Sequence, residues 1–185
     1  MLKDKVIVVI GGLGLIGFEF VKSILKNDGK VIIADINEAK YNDVVNDLNS
    51  ISDISNFEFF KLNLSSEDNL TECINFISNK YGKIDALVNT SYPKNKQYGK
   101  DFFEIDLKDF NENINLNLGG HFLSMQIFCK FFLKQGYGNI INIGSIYGTI
   151  SPKFEIYEET NLTVPIEYSA IKSALIHLTK YLAKY

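Results

Sequence analysis

Four glycines within seven residues directly follow an apolar run near the start of this 185-residue chain. The run, KVIVVI at Lys5–Ile10, is typical of a parallel strand that is buried on both faces. A helical pattern over about Leu13–Lys26 follows the strand and begins within the glycine cluster. Glycine lets the backbone turn tightly between strand and helix and lets a ligand approach the main chain. This order therefore predicts an open α/β sheet with a phosphate-binding turn at Gly11, Gly12, Gly14 and Gly17.

Strand and helix patterns alternate along the rest of the chain. Alternation with buried strands predicts a Rossmann-type doubly wound parallel sheet, with helices on both faces, in a single domain spanning residues 1–185. Ser65 with Asp68 resembles a capping box. Further strands are predicted at Val31–Asp35, Phe57–Leu62, Ile84–Val88 and Asn139–Ile143, and further helices at Glu38–Leu48, after Ser65, over about 106–134 and from about Ile166.

Composition excludes several classes of partner. The net charge is −3, so no broad basic surface is expected for nucleic acid. No apolar run is long enough to span a bilayer and no signal peptide is evident, which favours a cytoplasmic protein without a membrane partner. Cys73 and Cys129 are expected to be buried, reduced thiols. All 19 basic residues are lysines, so phosphates or carboxylates must be held without a guanidinium.

Asp35 stands at the end of the second predicted strand, eighteen residues after Gly17. An acid at this place is expected to hydrogen-bond the adenosine ribose diol of a dinucleotide. Its carboxylate would repel a 2′-phosphate, so NAD is favoured over NADP. The alternative is that Asp35 caps the following helix.

Tyr168 and Lys172 lie four residues apart in YSAIK, on one face of the last predicted helix. A free phenol is a poor base at neutral pH, and a neighbouring ammonium favours its ionised form. The pair could therefore move a substrate proton while a nicotinamide moves a hydride. The alternative is an exposed Tyr–Lys pair with no chemical role.

Five segments resemble, in order, the motifs of the short-chain dehydrogenase/reductase family. They are IGGLGLIG (10–17), LVNTS (87–91), NLGGHF (117–122), INIGS (141–145) and YSAIK (168–172). The resemblance implies a catalytic tetrad of Asn117, Ser145, Tyr168 and Lys172. The cofactor site that it implies comprises Gly11, Gly14, Leu15, Ile16, Gly17, Asp35, Ile36, Asn63, Leu64, Asn89, Thr90 and Ser91, together with Tyr168 and Lys172.

Two long segments are expected on the substrate side. Tyr92–Lys100 carries three lysines, which are either substrate ligands or ordinary solvated surface, and Thr149–Pro165 is a candidate lid. Lys94, Lys96, Ser145 and Tyr147 are the candidate substrate residues. The chain resembles oxidoreductases of flagellin modification and surface-polysaccharide synthesis, which implies a sugar or sugar-nucleotide substrate.

Other functions remain open. The GGxGxxG spacing resembles the extended sugar-nucleotide branch of the family, so an epimerase or dehydratase is one alternative, and a non-catalytic dinucleotide-binding protein is another.

Family members continue past the YxxxK helix, so the chain is expected to be C-terminally truncated, without the last strands. The helices near Asn117–Lys134 and from Ile166 are apolar on several sides, so they are either deeply buried or part of an interface, and they predict a homodimer or homotetramer. The apolar residues are Phe122, Met125, Phe128, Cys129, Phe131, Phe132, Leu175, Ile176, Leu178, Tyr181 and Leu182. No metal site is predicted.

Overall fold

A computed structural model describes residues 1–160 and 163–185 of the chain. The described part contains five strands and six α-helices. The strands are β1 (Val6–Ile10), β2 (Lys30–Asp35), β3 (Phe57–Lys61), β4 (Ala86–Asn89) and β5 (Ile140–Asn142). The helices are α1 (Leu15–Lys26), α2 (Glu38–Asn49), α3 (Glu67–Tyr81), α4 (Leu107–Ile114), α5 (Gly120–Gln135) and α6 (Ile166–Leu182).

The strands form one parallel sheet in the order β3-β2-β1-β4-β5. From β1 the chain moves outward to β2 and β3, and it then returns to the other side of β1 for β4. The strand order therefore reverses beside β1, at the type of switch point where open α/β sheets bind ligands. The Rossmann-type fold predicted from the sequence is confirmed.

Two hydrophobic clusters cover the two faces of the sheet. Val8 belongs to one cluster and Val9 to the other, because successive strand residues point to opposite faces. Helices α3 and α5 pack on the first face through residues such as Cys73 and Phe128, and α1 and α2 pack on the second. These elements belong to a compact unit formed by residues 1–92 and 123–141.

A second compact unit comprises residues 93–122 and 142–185. It contains α4, a π-helical turn at Asn115–Gly119 and α6. Buried polar contacts join its elements, among them a hydrogen bond from Asn113 on α4 to Glu167 on α6. Every member of the predicted catalytic tetrad lies in this unit, whereas the glycine turn lies in the first.

Four predictions about elements need correction. Helix α3 is capped by Ser66, which accepts from the Asn69 backbone, and not by Ser65. The helical region near 106–134 is interrupted by the π turn. Strand β5 is only partly buried, because it lies at the sheet edge.

The fourth correction concerns the helix residues expected to form a subunit interface. Several are buried within the chain itself and cannot contribute to a contact surface; they are Met125, Phe128, Phe132 and Leu175. Phe122 and Tyr181 remain exposed.

The two cysteines are free, and both have a raised thiol pKa because of burial. Cys73 is buried and its pKa is about 12, so it is unreactive near neutrality. Cys129 is only half-buried, which departs from the expectation of full burial.

Candidate active site

The glycine turn after β1 is packed too closely for side chains at two positions. A Cβ on Gly17 would lie 2.1 Å from the Gly11 carbonyl oxygen. Gly11 has a φ of +74°, and a Cβ there would lie 2.8 Å from the Ser91 backbone nitrogen. The sequence pattern therefore has a structural cause: glycine at these positions allows α1 to begin directly against the end of β1.

The N-terminus of α1 is open to a ligand. Its N-cap residue is Gly14, and no side chain among residues 1–160 and 163–185 caps it. The first turn contains no acidic residue, and its Leu15 and Ile16 side chains are exposed. Uncapped backbone N–H groups at the positive end of a helix dipole suit a phosphate.

Asp35, at the end of β2, holds the glycine turn in place. One of its carboxylate oxygens accepts from the Leu13 backbone N–H at 3.0 Å, and the other accepts from Asn37 N–H at 3.1 Å. Each oxygen retains a further lone pair that could accept from a ribose hydroxyl. The alternative that Asp35 caps the next helix is wrong, since the N-cap of α2 is Asn37, whose side chain accepts from Lys40 N–H.

The segment after β4 is tied to the same turn. The Thr90 hydroxyl donates to the carbonyl oxygens of Ile10 and Gly11, at 2.9 and 3.1 Å. Asn89 is fully buried; its amide donates to the Ser124 hydroxyl, and its oxygen accepts from Ser91. These groups shape the turn, and sequence reasoning had not predicted the two bonds made by Thr90.

The other predicted cofactor residues follow β2 and β3. Ile36 is exposed, and Asn63 forms a polar turn by accepting from Ser65 N–H. Leu64 is buried in the core, so only its main chain is available to a ligand. Because the strands are parallel, Gly11, Ile36, Asn63 and Thr90 all lie at the carboxyl edge of the sheet.

The second unit brings together Tyr168, Lys172 and the turn that begins at Ser145. The Lys172 ammonium nitrogen lies 5.7 Å from the centre of the Tyr168 ring and donates to the Ile143 carbonyl oxygen at 2.6 Å. Burial lowers the pKa of Lys172. The Tyr168 ring is half-buried. The pair is therefore a partly desolvated ammonium beside a phenol, and not an exposed helical pair.

The Ser145 turn packs directly on α6. Ser145 caps the short 3-10 turn Ile146–Gly148 by accepting from Tyr147 N–H at 3.2 Å. A Cβ on Gly148 would lie 2.7 Å from the Lys172 backbone carbonyl carbon. The absence of that atom lets the turn contact the helix next to Lys172, which brings the serine segment and the Tyr–Lys helix together.

Asn117 lies in the π turn and is fully buried. Its amide nitrogen donates to the Pro93 carbonyl oxygen at 3.4 Å. Its Oδ1 has no hydrogen-bond partner among the described residues. A π turn often marks a functional position, and a buried free acceptor suits an ordered water.

The sequence matches the model of the family described as short chain dehydrogenase over residues 5–185. The chain belongs to the short-chain dehydrogenase family. Its segments that resemble the family's motifs occupy the glycine turn and the tetrad region described above.

Similar proteins agree with this membership. A protein of Campylobacter coli described as post-translational flagellin modification protein A is 44% identical over all of this chain, which covers 72% of that protein. A short-chain dehydrogenase from Leptospira borgpetersenii, solved with bound NAD+, is 28% identical with a TM-score of 0.80 over 100% of this chain and 66% of that one. The protein ElxO, solved with NADP bound, is 29% identical with a TM-score of 0.77 over 94% and 64%.

The chain spans about two thirds of the length of these two solved short-chain dehydrogenases. Members of this family bind nicotinamide dinucleotides, and these two relatives hold NAD+ and NADP, so family membership does not decide between the two cofactors.

The predicted substrate residues lie on loops of the second unit. Lys94 and Lys96 are exposed, and the Lys94 ammonium lies 5.2 Å from the centre of the Tyr98 ring. The Tyr147 hydroxyl hydrogen-bonds the Tyr157 hydroxyl at 2.9 Å. That bond is the main cause of a raised Tyr157 pKa, and burial adds to it.

Tyr157 was not predicted as a site residue, although it lies in the candidate lid, Thr149–Pro165. Two residues of this lid, Asn161 and Leu162, lie outside the described part of the chain.

No helix in the described part of the chain is both long and apolar enough to cross a membrane. No cluster of three or more histidine, cysteine or acidic side chains in residues 1–160 and 163–185 could hold a metal ion.

Proposed function

We propose that this chain binds a dinucleotide and transfers a proton as an NAD-dependent oxidoreductase. Its substrate would be an alcohol or carbonyl group of a sugar or sugar nucleotide. The observation that carries the proposal is the Tyr168–Lys172 pair, with the turn of Ser145 packed against the same helix.

The residues of the glycine turn fit a dinucleotide. The open N-terminus of α1 suits the pyrophosphate, and Gly14 leaves room for it to approach the backbone. Asp35 would accept hydrogen bonds from the adenosine ribose, with its position fixed by the bond from Leu13. When bound, the nicotinamide would supply or accept the hydride.

Proton transfer would be the work of the chain's own side chains. The Tyr168 hydroxyl would exchange a proton with the substrate oxygen. The Lys172 ammonium nitrogen lies 5.7 Å from the centre of the Tyr168 ring. Ser145 would donate a hydrogen bond to the same substrate oxygen. Asn117 would hold, through its unpartnered Oδ1, a water that returns the proton to solvent.

A carbohydrate-like substrate is favoured by two observations. Exposed lysines at 94 and 96 could attract a phosphate or carboxylate without a guanidinium. The flagellin-modification relative from Campylobacter coli supports a role in flagellin glycan or surface-polysaccharide biosynthesis. We place that role in the cytoplasm, where the two free thiols would stay reduced.

The proposal is tested with the full-length protein and NAD+ or NADH. The candidate substrates are UDP-, GDP- and CMP-linked sugars and their keto forms. At least one of them should change the NADH absorbance at a rate proportional to the enzyme concentration. Conversion of a sugar nucleotide to an isomer without net change in NADH would favour the epimerase alternative. Binding of NAD without turnover of any compound would favour the non-catalytic one.

NAD(H) is expected to bind more tightly than NADP(H). The Asp35 carboxylate would repel a 2′-phosphate, and Asp35→Asn should narrow the difference by removing that charge. The amide oxygen of the variant can replace only one of the two acceptors that Leu13 and Asn37 use. Calorimetric titration of NAD(H) and NADP(H) into the unchanged protein and into Asp35→Asn measures the difference in affinity. Asp47→Asn is the matched control, because Asp47 is an exposed acid on α2. NADP(H) binding as tightly as NAD(H) to the unchanged protein would contradict the assignment.

A symmetric dimer is also proposed. A groove of about 690 Å³ lies between α4, the π turn and α6, and its lining is mostly apolar; it includes Ile114, Leu118, Phe122, Leu178 and Tyr181. Covering this surface with a second copy would remove apolar area from water. This interface is smaller than the sequence suggested, because the buried residues corrected above take no part in it.

Light scattering of the full-length protein should give a mass of at least two subunits. Phe122→Asp should lower that mass, because it puts a charge into the apolar groove. Phe103→Asp is the control, since Phe103 is exposed and outside the groove. A monomer at micromolar concentration would refute the dimer.

A further inference from the structure

Glu167, the residue immediately before Tyr168, is completely buried at 0% exposure. It lies in the first turn of α6, where the positive end of the helix dipole favours a carboxylate. Its Oε1 accepts from the Asn113 side-chain amide at 3.1 Å. Its Oε2 has no hydrogen-bond partner among the described residues. A buried acid of this kind is costly, and the proton-transfer steps above do not use it.

Asn113 connects Glu167 to a loop. Its nitrogen donates to Glu167, and its oxygen accepts from the Asn95 backbone N–H at 2.9 Å. A flipped amide would place its oxygen against the carboxylate and its N–H groups against another N–H, so only one orientation satisfies both neighbours. Asn113 is buried at 1% exposure, and loss of either bond would leave a buried polar atom unpaired.

Asn95 organises the loop that carries the two candidate substrate lysines. Its amide nitrogen donates to Glu112 at 2.9 Å and to Asp109 at 3.2 Å, while its oxygen accepts from Gln97 N–H. Asn95 is half-buried, whereas the lysines on either side of it are exposed. The inward bonds of Asn95 thus determine how those lysines are presented to solvent.

We propose that Glu167 is a positioning residue that couples the lysine loop to the helix of Tyr168 through Asn113. Ordering of the loop by a ligand would stabilise the first turn of α6, and displacement of the loop would loosen it. The importance of this coupling for turnover rests on the proposed function, because it assumes that the lysines at 94 and 96 contact the substrate. The coupling itself depends only on the hydrogen bonds of one compact unit.

The test uses the full-length protein saturated with NAD+, and it needs no substrate. Endoproteinase Lys-C cleaves after lysine, so cleavage after Lys94 and Lys96 reports opening of the loop. Cleavage after Lys40, within helix α2, reports general unfolding. Glu167→Met keeps the side-chain length but removes the acceptor, and it should raise loop cleavage about tenfold relative to Lys40.

Glu167→Gln is the rescue variant. Its amide oxygen can still accept from Asn113, so loop cleavage should stay within about twofold of the unchanged protein. Glu155→Met is the matched control, because it removes an exposed acid from the same unit. Asn113→Leu should reproduce the effect of Glu167→Met, and it serves as the second test if Glu167→Met does not fold.

The reverse direction is measured by hydrogen–deuterium exchange. Asn95→Ala should speed exchange in the peptide that contains Tyr168, and combining it with Glu167→Met should add little to either change alone. The proposal is overturned if Glu167→Met and Asn113→Leu leave loop cleavage unchanged, or if Glu167→Gln is as disruptive as Glu167→Met. Failure of the oxidoreductase proposal would instead appear as absent NADH turnover with the coupling intact.

Discussion

Replacement of Tyr168 by phenylalanine should lower the turnover of the full-length enzyme by about a thousandfold, which is typical of losing a general acid or base. The variant keeps the ring beside the Lys172 ammonium and removes only the hydroxyl that would exchange the proton. Binding of NAD should therefore persist. Steady-state rates of NADH formation and calorimetric titration of NAD+ measure the two effects separately.

Tyr181→Phe provides a matched control, because Tyr181 is an exposed tyrosine on the same helix. Its turnover should equal that of the unchanged enzyme. Lys172→Ala should weaken both turnover and NAD binding, since the ammonium is expected to serve both. Retention of more than about a tenth of the turnover by Tyr168→Phe would show that another group moves the proton.

Replacement of Gly17 by alanine should weaken the binding of NAD by about a hundredfold. The added Cβ would lie 2.1 Å from the Gly11 carbonyl oxygen and 2.6 Å from the Thr90 hydroxyl oxygen. Two backbone segments would have to separate, and overpacking of this kind costs about 3 kcal/mol. If that distortion falls on the geometry that binds the cofactor, affinity drops by about a hundredfold.

The melting temperature of Gly17→Ala should also fall, by roughly 10 °C for a chain of this size. Gly82→Ala separates the two effects. Gly82 has a φ of +72° and nothing within 4 Å of its added Cβ, so alanine there should cost about 1–2 kcal/mol of stability without affecting NAD. A Gly17→Ala protein that binds NAD normally would exclude the glycine turn as the cofactor site.

The pattern of the chain was sufficient to predict the elements of the sheet and the proximity of Tyr168 and Lys172 on one helix. A strand signal is an apolar run followed by glycines or by a helical pattern, and it depends only on neighbouring residues. The sequence alone therefore locates the five strands. The N-cap of helix α3 was predicted at Ser65, but the neighbouring Ser66 is the cap, because its side chain accepts a hydrogen bond from the Asn69 backbone N–H. The π turn at Asn117 has no comparable local signal.

Close approaches within each unit were determined only by the tertiary structure. Gly17, Gly148 and Thr90 could be seen in the sequence, but each of them also approaches a segment that is remote in the chain. Gly17 lies against Thr90, Gly148 lies against Lys172, and Thr90 donates to Ile10. Met125 and Phe128 were predicted to contact another subunit, but both are buried within the chain. A helical pattern shows which residues are apolar, and it does not show which face of the helix packs against the rest of the same chain.

Glu167 shows the difference most clearly. An acid in the first turn of a helix is expected at the surface, and the sequence alone therefore predicts nothing unusual there. Its burial depends on Asn113, which is 54 positions earlier in the chain. The sequence by itself determined the order of the elements and which residues are candidates for dinucleotide binding and proton transfer. The tertiary structure decided which polar groups lose contact with water and which partners they then require, because burial is a property of packed segments that are remote in the chain.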